Sequence, residues 1–295
     1  MTNPYITDTG PDYNQIAENY DDIRPPVGVD LMLRAFSASN KPISEMNILD
    51  EGCGTGSYSL ALAEHVLCVS GIDRSSGMIA IAQEKKRKAA RRAQLAFTLG
   101  TMTEMPFKDS SFDGIMANQT LHHLGDGQAD GFHAHRKVLR EFARILKPDG
   151  VIVVSTSSQE QIDSGFWFYH LIPQAARRLK ERFIPLPKLA EFLVELGFRH
   201  MFQQALGDVV LQGETYFESH GPLRAAWRNG DSAWSLASKE ELAQALTAVR
   251  ELDARGELEK KMEDWDSARQ RIGQVTFVCA SRRPCRAGPH ASSTP

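Results

Sequence analysis

The stretch "ILDEGCGTGSYSLALAEHV", residues 48–66, sets Gly52, Gly54 and Gly56 between a short apolar run and a segment with helical spacing. Glycine loses more conformational freedom on folding than any other residue, and a plain strand-to-helix turn needs about one. Three alternating glycines imply that something approaches this backbone closely. Two acids, Asp50 and Glu51, stand immediately before the first of them.

Outward from the turn, strand and helix signals alternate. "MNILDEG" reads as a strand, and a helix follows from about Ser57 to His65. "VLCVSGID" is a second strand and "SSGMIAIAQEKKRKAARRAQL" a second helix. "LAFTLG" and "SFDGIMAN" are the third and fourth strands. "AHRKVLREFARILKPDG" carries Val138, Leu139, Phe142, Ile145 and Leu146 at helical spacing, with Pro148 and Gly150 to stop it. "VIVVST" is a fifth strand, apolar enough to be buried on both faces. Such alternation over residues 48–156 predicts an α/β fold, a Rossmann-like, doubly wound, mostly parallel sheet with its ligand at the carboxyl ends of the strands.

Upstream, Tyr13–Tyr20 reads as a short helix broken by "IRPP", and Gly28–Phe36 as a second one. After Ser157 the periodicity weakens into aromatic-rich helical stretches, strand-like "VVLQG" and a last strand "GQVTFVCAS". The tail from Arg282 lacks the residues to bury a core and is expected to be disordered.

The chain has 295 residues, 42% of them hydrophobic, enough for one large domain or two small ones. A net charge of −3 gives no electrostatic reason to expect nucleic acid or an anionic membrane as partner. The four cysteines, Cys53, Cys68, Cys279 and Cys285, form no CxxC pair and no metal-ligand spacing, so reduced thiols and no metal are expected. The polar N-terminus has no signal-peptide pattern, and no apolar run approaches the ~20 residues of a membrane span. A cytoplasmic protein, monomer or homodimer, is the expectation. The basic run "KKRKAARR" falls on the second helix, away from the strand carboxyl ends, and reads as a solvated face.

Asp73, in "GIDRSS", ends the second strand about twenty residues beyond the turn, where a carboxylate can accept both hydroxyls of a ribose. The ligand therefore carries a nucleoside. A dinucleotide site favours G-x-G-x-x-G; in "DEGCGTG" the third glycine comes only two residues after the second. Asp50 and Glu51 would repel a pyrophosphate but suit a ligand bearing a sulfonium and an ammonium.

"ILDEGCGTG" resembles motif I of the class I S-adenosylmethionine (SAM) methyltransferases. The likeness continues in order through "GIDRSSGMI", "GTMTEMPFKDSSFDGIMANQTLHHL" and "LREFARILKPDGVIVVST", and covers roughly residues 13–156. The N-terminal "YNQIAENYDDIRP" resembles the opening of the menaquinone and ubiquinone methyltransferase-like branch. The resemblance implies SAM as cofactor and S-adenosylhomocysteine as product. It places the cofactor against Tyr20, Arg24, Asp50, Gly52, Cys53, Gly54, Gly56, Asp73, Arg74, Met78, Thr101, Met102, Asn118, Gln119 and His123. Arg24 is expected to pair with the cofactor carboxylate or with a surface acid. Thr101 departs from the family pattern, which has an aspartate there for the adenine amino group. The implied organisation is an N-terminal helical cap over 1–40 and a SAM-binding core over 41–156. A substrate lid with the last strands follows over 157–281, then the tail over 282–295.

Methyl transfer from a sulfonium is an in-line displacement at an activated carbon, so the protein mainly orients the acceptor and excludes water. His122 and His123 in "NQTLHHL" are the candidate proton acceptors. Trp167, Tyr169, His170, Tyr216, His220 and Trp227 are the candidate substrate pocket, for a small, partly apolar acceptor and not for nucleic acid. A non-catalytic SAM-binding protein and a nucleotide- or NAD-binding oxidoreductase are the competing readings.

Overall fold

The structure, a computed structural model, describes residues 20–89, 94–125 and 127–282, the side chains of Asp22 and Ile23 excepted. Residues 13–19 of the helix expected over Tyr13–Tyr20, Cys285 and the tail beyond Arg282 lie outside the described residues.

Seven strands make one sheet: β1 (Asn47–Glu51), β2 (Cys68–Asp73), β3 (Gln94–Leu99), β4 (Phe112–Asn118), β5 (Leu146–Thr156), β6 (Arg199–Leu206) and β7 (Val275–Ser281). Their order is β3-β2-β1-β4-β5-β7-β6. The first five are parallel, and β7 runs antiparallel between β5 and β6. The helices of the first two-thirds of the chain are α1 (Tyr20–Ile23), α2 (Val29–Ser37), α3 (Ser57–Leu62), α4 (Ser76–Lys88), α5 (His133–Ile145), α6 (Gln159–Ser164), α7 (Pro173–Arg182) and α8 (Leu186–Glu195).

Side chains alternate across a strand, and that alternation builds two cores. Ile48, Val69, Met116, Val151, Val153 and Phe277 face α2, α3 and the aromatic residues of the later half. Leu49, Ile115, Ala117, Ile152, Val154 and Val278 face α5 and α8. On α5, Val138, Leu139, Phe142 and Ile145 are wholly buried, each contributing roughly 1.5–3 kcal/mol by leaving water.

The doubly wound, mostly parallel sheet agrees with the sequence reading. Three details differ. "VVLQG" forms no strand: Val209 and Val210 pack half-buried against the core ahead of a short 3₁₀ turn over Gly213–Phe217. The outermost strand is instead β6, whose "RHMFQQAL" is largely exposed and reads as polar because an edge strand buries little. Long helices at Lys239–Ala254 and Leu258–Asp266 also form, and the first is capped by Ser238, whose hydroxyl accepts from the Glu241 amide at 3.1 Å.

The four rings of Phe166–Tyr169 are all buried, because a 3₁₀ turn over Trp167–Leu171 sits inside a ring-lined interior with Tyr216, Trp227 and Trp234.

Candidate active site

All three glycines of the β1–α3 turn have positive φ, 66° at Gly52, 52° at Gly54 and 79° at Gly56, a region costly for residues with a Cβ. They face different neighbours. A Cβ on Gly52 would meet Thr120 Cγ2 at 2.1 Å, and one on Gly56 the Phe97 ring at 2.9 Å. A Cβ on Gly54 would find only Met78 Sδ, at 4.0 Å. So two of the glycines serve internal packing, and Gly54 alone leaves open space beside its backbone. The Gly54 amide donates to Asp73 Oδ2 at 2.9 Å and the Ser75 amide to Oδ1 at 2.8 Å, which fixes the carboxylate at the end of β2.

The acids before the turn do not present charge to it. Asp50 and Glu51 are 1% and 2% exposed. Asp50 accepts from Ser59 Oγ and Glu51 from Thr120 Oγ1, each at 2.7 Å. Burial pushes Asp50 up to about 7 and Glu51 to about 8. The expected repulsion of a pyrophosphate by two ionised acids is therefore much weakened, since desolvation favours their neutral forms. Cys53 is buried too, and burial pushes its thiol well above the ordinary value, so it is inert.

Between this turn and the later half lies a cavity. Gly52, Cys53, Gly54, Thr55 and Ser57 wall one side, with Asn118, Gln119 and His122 at the sheet edge. Tyr20, Arg24 and Pro25 cross it, and Ile162, Phe166, Tyr169, Leu179 and Phe183 form the far, mostly apolar wall. Gln119 holds φ 54°, and its Nε2 is buried without a partner, as are both amide atoms of Asn118.

His122 is 8% exposed and stacks on Phe183, centroids 4.4 Å apart and planes 11° apart. Burial, with His123 next, drives its pKa well below the ordinary value, so the imidazole is neutral. Its Nδ1 has no hydrogen-bond partner, and Nε2 lies 3.5 Å from Ser232 Oγ. His123, pushed down to about 3 by burial and by Arg74, does not wall the cavity.

Asp73, Arg74, Met78, Thr101 and Met102 stand beyond this cavity, on or after the carboxyl ends of β2 and β3. Thr101 shares a 3.2 Å hydrogen bond with Thr103. Arg24 meets an acid, but a buried one from the later half: Nε donates to Gly230 O at 2.6 Å and a terminal nitrogen to Asp231 at 3.1 Å. Tyr169 Oη also donates to Asp231, at 3.1 Å, and burial keeps that phenol protonated.

Of the six expected pocket residues, Tyr169 alone reaches the cavity wall. Trp167 is wholly buried in the aromatic core, its indole N–H donating to Tyr216 O at 2.9 Å. The Tyr216 hydroxyl in turn donates to Asp266, and Trp227 Nε1 donates to Thr215 O at 2.6 Å. His170 is exposed and stacks on Trp265. His220 lies on the outer surface, paired with Asp253 at 2.9 Å, and lines a separate shallow depression. Ring-rich composition marked the right segment, but the packing of the later half turns most of those rings inward. The wall residues that went unread, such as Phe183, Leu179 and Asp231, carry no motif; Thr55 and Ser57 lie inside the glycine stretch itself.

A glycine turn, a carboxylate at the end of the second strand and a cavity at the carboxyl edge are the arrangement in which doubly wound sheets hold nucleoside ligands. A family model described as a methyltransferase domain matches residues 49–154. The demethylmenaquinone methyltransferase of Shouchella clausii is 31% identical over 172 residues, 51% of this chain and 69% of that protein. The O-methyltransferase resE of Aspergillus sclerotiorum is 29% identical over 179 residues, 59% of this chain; the chain spans 62% of its length. Among solved structures, a protein from an antibiotic biosynthesis pathway of Anabaena variabilis superimposes with a TM-score of 0.62 at 23% identity, covering 85% of this chain and 96% of its own. The cyclase SpnF does so with a TM-score of 0.53 at 17% identity, covering 95% and 99%; both likenesses are of fold alone. The chain belongs to the class I SAM-dependent methyltransferases, and that fold implies SAM as cofactor. Among the described residues no helix is long and apolar enough to cross a membrane.

Proposed function

We propose that this chain transfers a methyl group from SAM to a small, partly apolar acceptor, at an O, N, S or C atom, in the cavity between the glycine turn and the later half. One observation carries the reading: beside the glycine turn the cavity holds unpartnered buried amide atoms at the sheet edge, and it faces a mostly apolar wall. Buried amide atoms without partners are uncommon in native proteins and ask for a ligand. The amides of Asn118 and Gln119 suit the ammonium and carboxylate of an amino acid, the open face of Gly54 suits close approach, and Asp73 keeps lone pairs for vicinal hydroxyls. The residues therefore fit the cofactor. Gly52, Cys53 and Gly54 would line its path, Asp73 and Arg74 its ribose, and Met78, Thr101 and Met102 its base.

When bound, SAM supplies a methyl group on a sulfonium, open to in-line displacement. The chain's own task is to hold the acceptor and exclude water, which Phe166, Phe183 and Ile162 do by closing the far wall. His122 is neutral with Nδ1 unpartnered, but the burial that lowers its pKa makes it a weak base, so orientation supplies most of the rate and His122 serves only an acidic acceptor. Residues 20–40 act as a cap and residues 157–281, apart from β6 and β7 that complete the sheet, as a substrate lid, in a cytoplasmic monomer or homodimer. The test is incubation of the purified protein with methyl-labelled SAM and candidate acceptors, followed by mass spectrometry. Label appearing in a small molecule supports the reading. Tight S-adenosylhomocysteine binding with no transfer to any acceptor would favour a non-catalytic SAM-binding protein.

A further inference from the structure

Residues 20–27 cross from one side of the cavity to the other, and each end is tied by a charged side chain. At the turn side, the Asp21 carboxylate accepts from the Thr55 hydroxyl, from Ser57 Oγ at 2.7 Å and from Lys85 Nζ at 2.7 Å. Lys85 also donates to Ser57 Oγ at 2.8 Å. The lysine thus turns inward from the basic run that read as a solvated face. At the other side, Arg24 holds Gly230 O and Asp231, the acid that also receives the Tyr169 hydroxyl. Just before Asp21, Tyr20 walls the cavity, and beyond Arg24 the Val27 amide donates to Tyr58 Oη at 3.1 Å. Only two residues, within the helical turn α1, separate Asp21 from Arg24, and Pro25 and Pro26 fix φ directly beyond it, so the short link transmits position instead of absorbing it.

We infer that Asp21 and Arg24 are positioning residues at the two ends of one strap, which orders the glycine turn and the acceptor wall together. This rests on the methyl-transfer reading of the cavity. Thr55 and Ser57 flank Gly56 on the same turn as Gly54, so a carboxylate holding both hydroxyls holds the backbone that faces the cofactor. Burial raises the Asp21 carboxyl, but its hydrogen bonds from Lys85, Thr55 and Ser57 and the Lys85 charge outweigh that and keep it below the ordinary value. The two ends differ in strength. The Asp21 side chain is 41% exposed and its ion pair is screened by water, whereas Arg24 and Asp231 are 17% and 4% exposed. The turn end is thus the weaker of the two, and releasing it loosens the strap as a whole, the acceptor end included.

The test uses the full chain, with S-adenosylhomocysteine as probe and two readouts: calorimetry, and hydrogen exchange at residues 53–58 and 229–233. Asp21→Ala is expected to weaken binding about tenfold with the melting transition retained, and to speed exchange in both segments. Asp21→Asn keeps an acceptor for Ser57 and Thr55 but loses the lysine pair, and should fall between wild type and alanine. Lys85→Met should resemble it, and serves as the reporter where the alanine variant does not fold. Binding within twofold of wild type for Asp21→Ala would overturn the inference. So would faster exchange confined to 53–58 with 229–233 unchanged. Failure of the wild-type protein to bind the probe would instead defeat the methyl-transfer reading; the strap itself is then decided by exchange at 229–233 alone.

Discussion

Along residues 47–156 strands and helices alternate, and apolar side chains recur every second residue on strands or about every 3.6 on helices. Along residues 157–274 there is one edge strand, and the interior is a cluster of rings. Trp167, Phe168, Tyr216, Trp227 and Trp234 meet mostly edge-to-face or tilted. The N–H and O–H groups of Trp167, Tyr216 and Trp227 go to backbone carbonyls or to Asp266, while Trp234 Nε1 is buried without a partner. The first region presents backbone, at Gly54, to the cavity. The second mostly packs against itself and lends the cavity one apolar face. Ring-rich sequence outside the sheet therefore marks a core before it marks a specificity pocket.

The largest effect expected from this contrast is on folding. Trp167→Ala should cost about 3–5 kcal/mol in denaturant unfolding, the range for removing a buried large aromatic. A loss below about 1 kcal/mol would mean that the ring cluster is a loose pocket lining after all. In the first region the effects should fall on binding. Gly54→Val puts a branched side chain at φ 52° into the open face of the turn, and should weaken S-adenosylhomocysteine binding at least as much as Asp73→Ala. For Asp73→Ala the expected loss is about 1.5–3 kcal/mol, as for hydrogen bonds to a charged group. Wild-type affinity in both variants would put the cofactor elsewhere.

A smaller effect separates the buried acids from the exposed surface. Asp50 and Glu51 hold protons up to about pH 7 and 8 in the folded state, whereas the unfolded chain releases them near pH 4. The folded state then binds more protons across that window, so their contribution to stability falls as pH rises from about 4 to 8 and levels off above it. A sulfonium nearby would favour the ionised acids, so the affinity for SAM relative to S-adenosylhomocysteine should rise between pH 6 and 9. A flat ratio by calorimetry would detach these acids from the cofactor.

The smallest effects concern the histidines. His122→Ala should lower turnover only a few-fold if orientation dominates, against the ~10²–10⁴-fold loss expected of an essential general base. His220→Ala, altering an exposed pair with Asp253, should leave turnover unchanged. A collapse at His220 would move the chemistry into the later half.

Legibility in the sequence follows the same contrast. β1, β2, β4 and β5, together with α5, were readable because burial on one or both faces imposes periodicity, and Gly54 and Asp73 because backbone geometry demands them. β6 was not, since an edge strand such as "RHMFQQAL" buries little and so shows no apolar alternation. Arg24–Asp231 and Asp21–Lys85 join residues 207 and 64 positions apart, a separation over which no local pattern operates. The reasons for the three glycines were also only partly readable: the Thr120 and Phe97 contacts that require Gly52 and Gly56 arise from tertiary packing.

The central claim is that the open face of Gly54, Asp73 and the unpartnered amides of Asn118 and Gln119 form a SAM site. Calorimetry of the full chain against SAM, S-adenosylhomocysteine and NAD tests it most directly. The account predicts saturable binding of the first two and no heat from NAD; binding of NAD with SAM silent would contradict it.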